Sequence, residues 1–344
     1  MRLDEIGWNT YIEERWRILG SSEQWIPARV SLREKGWFVV WSERGEMEVS
    51  ARGKLLRRAT PVTGDWVAID PDRRVIEKVL ERSTHISRKR PGSDTREQVL
   101  CANLDALYVV CGLDCNINVR RLERYLALSH SGGVEPIVIL NKADLVEDRS
   151  QVLARVQPVA AGAKVLFTSA ETGEGVEQLR ACCDRFATVA LLGSSGAGKS
   201  ALTNRLLKQD RQAIGAVRES DHRGRHTTTR RELIRIPGSC LLMDLPGIRE
   251  LELWDGTGMD SSFADIEKLA VQCRFRDCRH QGEPGCAVKQ AVVTGELAET
   301  RMRSYDKLQG EVSDLERRQS DRMEAEENSR LKQVHKALRR TPKR

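Results

Sequence analysis

The chain has 344 residues, and 31% of them are charged, with 57 Lys and Arg against 50 Asp and Glu. This length is enough for two or three domains with their own hydrophobic cores. No apolar run approaches the roughly 18–20 residues that cross a membrane, and the opening MRLDEIGWNT carries acids and no long apolar segment typical of a secretory signal. These features argue against a membrane or secreted protein, and we expect a cytoplasmic one.

Basic charge is concentrated in two regions of the chain. Residues 330–344 hold seven Lys and Arg and no acid, and residues 26–100 hold sixteen Lys and Arg against eleven Asp and Glu. Positive charge of this kind favours a polyanion partner such as nucleic acid. From charge alone, a protein with a solvated basic tail is an equally good interpretation.

Residues 28–80 predict several short strands separated by turns, with breaks at Gly36, Gly45 and Gly53. About five strands in so short a stretch predict a small barrel of the OB-fold type, and another small β module is the alternative. We expect the aromatic residues Trp37, Phe38 and Trp41 to belong to its core rather than to stack on bases. The polar stretch 83–98 predicts a linker or mobile loop.

Strands and helices then alternate. Apolar strands are predicted in ALYVVCGL, PIVIL, KVLF, TVALLG and CLLM, and helices in VRRLERYLALSHSG, GVEQLRACCDRF and KSALTNRLLK. This alternation predicts a parallel sheet covered by helices on both faces. After about residue 255 the pattern becomes helical, with a helix in FADIEKLAVQC. A charged helix from about Ala298 carries heptad-like positions at Leu308, Val312 and Leu315.

The segment GSSGAGKS fits the phosphate-binding P-loop pattern and lies between a predicted strand and a predicted helix. In such a loop, backbone N–H groups surround the phosphates, and Gly residues permit the close approach. Lys199 would neutralise phosphate oxygens, and Ser200 would hold Mg²⁺. The predicted nucleotide-binding residues here are Gly193, Ser194, Ser195, Gly196, Ala197, Gly198, Lys199, Ser200 and Ala201.

The segment NKAD comprises Asn141, Lys142, Ala143 and Asp144, and follows the predicted strand PIVIL. A carboxylate in this position accepts both N1–H and the exocyclic amine of guanine, whereas adenine presents an acceptor there. Asp144 therefore predicts guanine over adenine. The segment TSA, which contains Ser169 and Ala170, also follows a predicted strand and fits a loop that supports the guanine O6.

The segment DLPG follows the predicted strand CLLM, so that Asp244 would bind Mg²⁺ through water and the Gly247 amide would contact the γ-phosphate. Between the P-loop and DLPG lies RESDHRGRHTTTRRE, which predicts a polar loop. One of its threonines would close over Mg²⁺. Thr228 is our first choice for that role, with Thr227 next.

The motifs thus occur in the order guanine reader, base loop, P-loop, switch threonine and Asp-x-x-Gly. This is a circular permutation of the usual GTPase order, which is physically reasonable because strand pairing rather than chain order assembles such a site. The chain resembles the ribosome small subunit-dependent GTPase A (RsgA) family of bacteria. The resemblance rests on GDWVAID, ANLDALYVV, RLERYL, LNKADL, GSSGAGKS, GRHTTTR and DLPGIRE, and it covers most of the chain.

The resemblance implies a multidomain α/β protein. Its parts would be an N-terminal OB-fold RNA-binding barrel in residues 1–97, a permuted P-loop GTPase domain in 98–255, and a helical zinc domain with a basic tail in 256–344. It also implies a catalytic His226, because Ile248 stands where many GTPases keep a water-orienting glutamine. Lys199 and Thr228 complete the predicted catalytic set.

The segment CRFRDCRHQGEPGC places Cys273, Cys278, His280 and Cys286 at the spacing C-x4-C-x-H-x5-C. Three thiolates and one imidazole form a closed tetrahedral set suited to structural Zn²⁺. Three buried cysteines without metal are the alternative, and the resemblance favours zinc. No open coordination position is predicted, so we expect no metal catalysis at this cluster.

The predicted function is therefore a GTPase that binds the small ribosomal subunit and its rRNA, assists late maturation and hydrolyses GTP to time its own release. The expected cofactors are one structural Zn²⁺ and Mg²⁺ with GTP, and the protein is expected to be a monomer. The alternative is a GTP-dependent RNA-binding switch that acts on tRNA or another RNA, with little intrinsic catalysis.

Overall fold

The computed structural model describes residues 1–20, 24–89, 97–114, 117–160, 162–184, 187–207, 231–245 and 257–340. Within these ranges the chain forms a β-barrel, then a six-stranded sheet with helices on both faces, then a group of helices. None of the helices in the described ranges is both long and apolar enough to cross a membrane.

The N-terminal unit is a closed barrel with strand order β1-β2-β3-β5-β4. Only the β3–β5 pair is parallel, and the other pairs are antiparallel. The barrel interior is filled by small and branched apolar side chains such as Val30, Val40 and Ile76. This confirms the predicted barrel. Its strands are β1 (Ile26–Arg33), β2 (Phe38–Ser42), β3 (Gly45–Ala51), β4 (Trp66–Asp70) and β5 (Val75–Val79).

Two expectations for this region were wrong. The segment GKLLRR forms a short helix, α2 (Gly53–Arg58), in a region for which only strands and turns were predicted. Of the three aromatic residues expected in the barrel core, Phe38 and Trp41 are buried, but Trp37 is exposed because it lies in the turn between β1 and β2.

The buried Arg29 on β1 connects the barrel to its surroundings. Its guanidinium donates to the carbonyl oxygens of Ile6 (2.6 Å), Asn103 (2.8 Å) and Gly64 (3.3 Å). Burial lowers its pKa to about 10, against the opposing influence of nearby carboxylates. One side chain thus links the residues before helix α1 (Thr10–Ile18), the barrel and the start of the sheet domain.

The stretch predicted as a linker contains strand structure. Strand β6 (His85–Lys89) pairs antiparallel with β7 (Glu97–Ala102), although its sequence is polar and lacks apolar periodicity. Ile86 and Leu100 provide the buried positions of this hairpin. Because the amide of Ala102 donates to the carbonyl of Thr63 (3.2 Å), the hairpin is attached to the barrel.

The six-stranded sheet has the order β10-β9-β8-β11-β13-β12. Its neighbours are parallel except for the edge strand β12, which is antiparallel to β13. The predicted parallel sheet is therefore confirmed, with one antiparallel edge. The strands are β8 (Ala106–Gly112), β9 (Glu135–Asn141), β10 (Lys164–Thr168), β11 (Thr188–Gly193), β12 (Leu233–Arg235) and β13 (Leu241–Asp244).

Alternate residues of the central strands face two separate cores. On one face, Leu107 and Val109 belong to the same cluster as Leu126, and on the other face Tyr108 belongs to the cluster with Leu202. This alternation buries both faces of the sheet, as a parallel sheet requires. The covering helices are α3 (Val119–Ser131), α4 (Arg149–Ala160), α5 (Val176–Cys183) and α6 (Lys199–Leu207).

The C-terminal helices pack against α3 through a buried ion pair. Arg301 donates to Glu123 on α3 (2.7 Å) and to Asp265 (2.9 Å and 3.1 Å), and its guanidinium lies 4.2 Å from the Phe263 ring centroid. The predicted heptad positions Leu308, Val312 and Leu315 are buried. These helices are α7 (Met259–Ser262), α8 (Ala264–Ala270), α9 (Ala287–Thr294) and the 42-residue α10 (Glu299–Arg340).

Candidate functional site: a nucleotide cleft and a Cys/His cluster

The predicted P-loop joins β11 to α6 at the carboxyl edge of the sheet. Gly196 and Gly198 both have positive φ, at 83° and 93°. A side chain at Gly198 would also place its Cβ 2.1 Å from the side-chain nitrogen of Asn141. These glycines are required by the backbone path and by close packing, and the loop has the strand–loop–helix context that a phosphate site needs.

Lys199 starts α6 and turns back over the loop. Its Nζ donates to the carbonyls of Gly193 (2.8 Å) and Ser194 (3.0 Å), and the residue is only 9% exposed. Burial lowers the pKa of Lys199, while the negative charge of Asp244 opposes that shift. Asp244 lies at the end of β13, paired in register with Leu191 of β11. The predicted phosphate lysine and magnesium aspartate therefore belong to one cleft.

Asn141 connects three loops of this cleft. Its side-chain nitrogen donates to the carbonyl of Ala197 in the P-loop (2.9 Å). Its side-chain oxygen accepts from the Thr168 hydroxyl (3.1 Å) and the Ala170 amide (3.3 Å) of the base loop. Asn141 is 1% exposed, so these bonds are shielded from water. Asp144 is exposed, as a residue that contacts a base must be before the base binds.

A carboxylate that the sequence interpretation missed also belongs to this edge. Asp114 follows β8, and its Oδ2 accepts from Lys142 Nζ at 2.6 Å. That hydrogen bond holds the pKa of Asp114 below its usual value. Lys142 adopts a left-handed backbone conformation, with φ of 67°. The sequence did contain a signal for Asp114, because it is a polar residue that follows the first strand of the sheet. Strand β8 is central, so its carboxyl end must lie at the cleft.

The base loop is held by a second residue that was missed. Arg205 on α6 donates to the carbonyls of Ala170 (2.6 Å) and Glu171. Within the loop, the Ser169 hydroxyl accepts from the Thr172 amide at 3.1 Å, and Ser169 is fully buried. The helix after the P-loop thus also fixes the loop that is expected to contact the base.

Several predicted site residues lie outside the described residues. They are His226, Thr227, Thr228 and Gly247, together with Ile248 at the departure from the usual glutamine. The structure brings together the predicted guanine, base-loop and phosphate residues and Asp244. The roles assigned to the switch residues remain sequence-based predictions.

The predicted metal ligands converge in the C-terminal unit. The ligand atoms of Cys273, Cys278, His280 and Cys286 all lie within 4.8 Å of one another. Cys273 Sγ lies 3.9 Å from Cys286 Sγ and 3.6 Å from His280 Nδ1, which is 3.4 Å from Cys286 Sγ. A tetrahedral site with Zn–S distances of about 2.3 Å places its sulfurs about 3.8 Å apart. The donor set and its spacing therefore fit a bound metal ion.

Local backbone geometry supports this cluster. His280 has a positive φ of 58° and is 5% exposed. Cys286 caps α9, because its sulfur accepts from the Lys289 amide at 3.4 Å. Desolvation raises the pKa of Cys273, but backbone N–H groups of Val288 and Ala287 lower it, and the net direction is downward. The surroundings thus favour the thiolate form at Cys273, whereas burial and the neighbouring sulfurs raise the pKa of Cys278 to about 11.

The fold and the cleft define a class of protein. A P-loop on β11 is joined by Asn141 to a guanine motif that precedes it in the chain, which makes this a circularly permuted P-loop GTPase. The RsgA GTPase family model matches residues 79–254. The chain belongs to the RsgA GTPase family, as its sequence resemblance predicted.

Curated relatives match over nearly the whole chain. A small ribosomal subunit biogenesis GTPase RsgA from Opitutus terrae is 41% identical and covers 98% of this chain and 97% of its own length. The protein of the same name from Xylella fastidiosa strain M23 is 43% identical, covering 90% of this chain and 96% of its own. A small ribosomal subunit biogenesis GTPase RsgA 2 from Vibrio vulnificus is 38% identical, with 98% and 94% coverage.

Two solved structures share the fold. YjeQ from Thermotoga maritima superposes with a TM-score of 0.63 at 26% identity and covers 84% of this chain and 98% of its own. YloQ, described as a circularly permuted GTPase, gives a TM-score of 0.58 at 27% identity, with coverage of 85% and 96%. The likeness extends beyond the GTPase sheet, since both cover more than four fifths of the chain.

Proposed function

We propose that this protein binds the small ribosomal subunit, assists its late maturation and hydrolyses GTP to time its own release. The observation that carries the proposal is the set of three hydrogen bonds made by Asn141, which join the guanine motif to the P-loop and to the base loop. The names of the relatives specify biogenesis of the small ribosomal subunit, and they support this subunit as the proposed partner.

The phosphate half of the proposed site is the segment from Gly193 to Ala201. Backbone N–H groups of this loop bind the β-phosphate, and Lys199 exchanges its present carbonyl partners for phosphate oxygens. Ser200 and Thr228 would hold Mg²⁺, Asp244 would act on it through water, and the Gly247 amide would contact the γ-phosphate. When bound, the magnesium ion neutralises charge on the phosphates.

The guanine half of the site is the segment from Asn141 to Asp144, with Ser169 and Ala170 supporting the O6 side of the base. Asp144 accepts two N–H groups of guanine, which is a charge-assisted and bidentate contact. Adenine would leave this carboxylate facing an acceptor, and such a mismatch is strongly disfavoured. Asn141 is the positioning residue that keeps the base and phosphate halves in register.

His226 is proposed to orient or deprotonate the attacking water. The position after Gly247 is Ile248, whose side chain has no polar atom to hold water, so the water must be held from elsewhere. A histidine in the polar segment before β12 has suitable chemistry for general base catalysis near neutral pH. Hydrolysis is proposed to be slow in the free protein and stimulated when the small subunit is bound.

The metal in the C-terminal cluster is proposed to be one structural Zn²⁺. Three thiolates and one imidazole leave no ligand position for water, so the metal would stabilise the fold rather than act on substrate. The proposed domains are residues 1–97 for the RNA-binding barrel, 98–255 for the GTPase domain, and 256–344 for the zinc domain and basic tail.

The rRNA-facing surfaces are proposed to be the barrel, the basic segment HISRKR at residues 85–90 and the basic stretch 330–344. Lys and Arg in these regions would release counterions from RNA phosphates and make binding salt-dependent. Recognition would depend on shape and backbone more than on sequence. We further propose a monomer that works in the cytoplasm, where ribosomal subunits mature.

GTP turnover measured with different RNA partners tests this function. Purified small subunits should accelerate turnover, whereas large subunits and tRNA should leave it near the unstimulated rate. Stimulation by tRNA with no response to small subunits would instead support the alternative of an RNA-binding switch. Absence of GTP turnover under every condition would contradict both the enzyme class and the proposed role.

A further inference from the structure

A cavity of about 330 Å³ lies where the barrel meets the edge of the six-stranded sheet. Its walls include Arg33 at the end of β1, Glu34 and Lys35 in the turn that follows, Gln98 on the β6–β7 hairpin, and Arg231 just before β12. The cavity thus borders three elements that the chain joins only through long connections.

The backbone of Arg231 is held firmly at this junction. The Thr63 hydroxyl of the barrel donates to the Arg231 carbonyl at 2.9 Å. The next residue, Glu232, forms a bridge with Leu32 of β1. Both contacts use main-chain atoms of residues 231 and 232, so they do not depend on which side chain residue 231 carries. The barrel is therefore attached directly to the start of the edge strand.

The cavity is positively charged. Arg33, Lys35 and Arg231 line it, with Glu34 as the one acid among its lining residues. Burial lowers the pKa of Arg231, and the nearby Arg88 and Arg33 lower it further, while Cys101 opposes the shift. The buried Nε of Arg231 has no hydrogen-bond partner among the residues that the structure describes. Cations held close together in a concave site repel one another, and a bound anion relieves that repulsion.

Arg88 extends the basic surface from the cavity along the hairpin. Its Nε donates to the Gln98 side chain at 3.2 Å, which places the guanidinium beside the cavity wall. Lys89 follows in the same strand, and the whole region 26–100 carries five more basic than acidic residues, as sixteen minus eleven. A charged track that continues outside the cavity suits a chain of phosphates better than a single free ion.

We propose that this cavity binds a backbone phosphate of RNA, with Arg231 as the inner ligand and Arg33 and Lys35 at the entrance. The inference rests on the proposed function, and it adds a specific contact to it. Arg231 follows Thr228 by three residues and His226 by five in the sequence. An RNA phosphate bound here contacts the residue that leads directly out of the proposed catalytic segment. Subunit contact is thereby linked to hydrolysis.

The test compares Arg231→Ala and Arg33→Ala with Arg318→Ala, which removes the same charge from an exposed position on α10, outside the cavity and the proposed rRNA-facing surfaces. Affinity for a single-stranded oligouridylate and for purified small subunits is measured between about 50 and 200 mM salt. Each cavity variant should lower the slope of log affinity against log salt by about 0.7 to 1 relative to the control. Arg231→Lys should retain most of the slope.

GTP turnover provides the second readout. Arg231→Ala should reduce stimulation by small subunits several-fold, and unstimulated turnover, GDP affinity and the thermal unfolding midpoint should stay at wild-type values. Inorganic phosphate is the competing ligand, and it should displace the oligouridylate only weakly.

Three results would overturn the inference. Cavity variants that match Arg318→Ala in salt slope and stimulation would show that the cavity does not contact an RNA phosphate. Displacement by inorganic phosphate at micromolar concentration would show a free-anion site instead of an RNA site. Loss of subunit binding without any loss of oligouridylate binding would place a protein contact at the cavity. If small subunits fail to stimulate the wild-type protein, the proposed function fails, and the oligouridylate measurement still decides the site.

Discussion

At the scale of single residues, Asn141 and Asp144 divide the work of the guanine motif. Asn141 is buried, and its side chain forms hydrogen bonds within the protein, to Ala197, Thr168 and Ala170. Asp144 is exposed at the end of the same short segment. One residue therefore sets the geometry of the cleft, and the other is left to select the base.

Asp144→Asn should weaken GDP affinity by about 10- to 100-fold, since a hydrogen bond to a charged group contributes about 1.5–3 kcal/mol. Guanine preference over adenine should narrow as well, because an amide can also donate to the adenine N1. Competition binding with GDP and ADP measures both effects. Glu147→Gln, which removes an exposed charge three residues away, is the control and should retain wild-type affinity. An unchanged preference in Asp144→Asn would contradict the assigned role.

His226→Ala should reduce subunit-stimulated turnover by about 10²- to 10⁴-fold, the usual contribution of a general acid or base. GTP affinity should be unaffected, because the proposed role concerns water and not the nucleotide. Single-turnover hydrolysis and equilibrium GTP binding separate the two quantities. His222→Ala, in the same polar segment, is the matched control. Equal turnover in the two variants would remove His226 from the catalytic set.

At the scale of elements, Arg301 is the main polar link between α10, the short helices before it and α3. Its partner Glu123 is 1% exposed and lies on the GTPase side, whereas Asp265 lies on α8. Tyr305, one turn further along α10, donates its hydroxyl to Glu267 on α8 at 3.1 Å. The C-terminal helices are therefore fixed to the sheet domain through α3.

Arg301→Ala should lower the free energy of unfolding by about 3–5 kcal/mol, because it leaves Glu123 buried without its partner. Chemical denaturation measures the loss. Arg303→Ala, which breaks an exposed pair with Glu299, should cost about 0–1 kcal/mol. Replacing Arg301 by Met together with Glu123 by Leu should recover much of the stability. Similar values for Arg301→Ala and Arg303→Ala would disprove this account.

Cys278→Ser should release the proposed zinc ion and unfold the cluster around α9, because structural zinc binding and local folding are coupled. Metal content by elemental analysis should fall from one zinc per chain to near zero, and protease sensitivity of residues 273–290 should rise. Cys240→Ser, in the core of the sheet domain, is the control and should keep the metal. A protein isolated without zinc yet fully protected at this segment would refute the assignment.

At the scale of the whole molecule, the barrel and the C-terminal helices each lie next to one of the last two GTPase motifs in the chain. The barrel contacts Arg231 and Glu232, just after the segment that contains His226. The C-terminal helices begin within about a dozen residues of Gly247, the proposed γ-phosphate contact. Circular permutation therefore places the barrel and the C-terminal unit each next to a segment whose state is expected to change with the nucleotide.

A non-hydrolysable GTP analogue should bind the protein to small subunits about 5- to 150-fold more tightly than GDP does, the usual range for coupled sites. Sedimentation of labelled protein with subunits measures the two affinities. Lys199→Ala should abolish the difference, because it removes the proposed phosphate contact. Equal affinities in the wild-type protein would exclude nucleotide-controlled release.

The sequence determined the local chemistry of this protein. The P-loop, the guanine motif, the Cys/His spacing, the barrel and the alternating strands and helices were all predictable, because each depends on residue types at short spacing or on periodic burial. The RsgA family assignment was also available from the permuted motif order, and the comparisons confirm it.

The tertiary structure decided which distant residues meet. Asn141 reaches Ala197 across 56 positions, and Asp114, Arg205 and Arg231 take their places only once strands β8, β11 and β12 are ordered in the sheet. The hairpin of β6 and β7 was missed for a related reason. Strand β6 is too polar to show a periodic signal, and both strands are stabilised by pairing with each other and by contacts with the barrel. Such contacts depend on strand order and packing, which short sequence patterns do not contain.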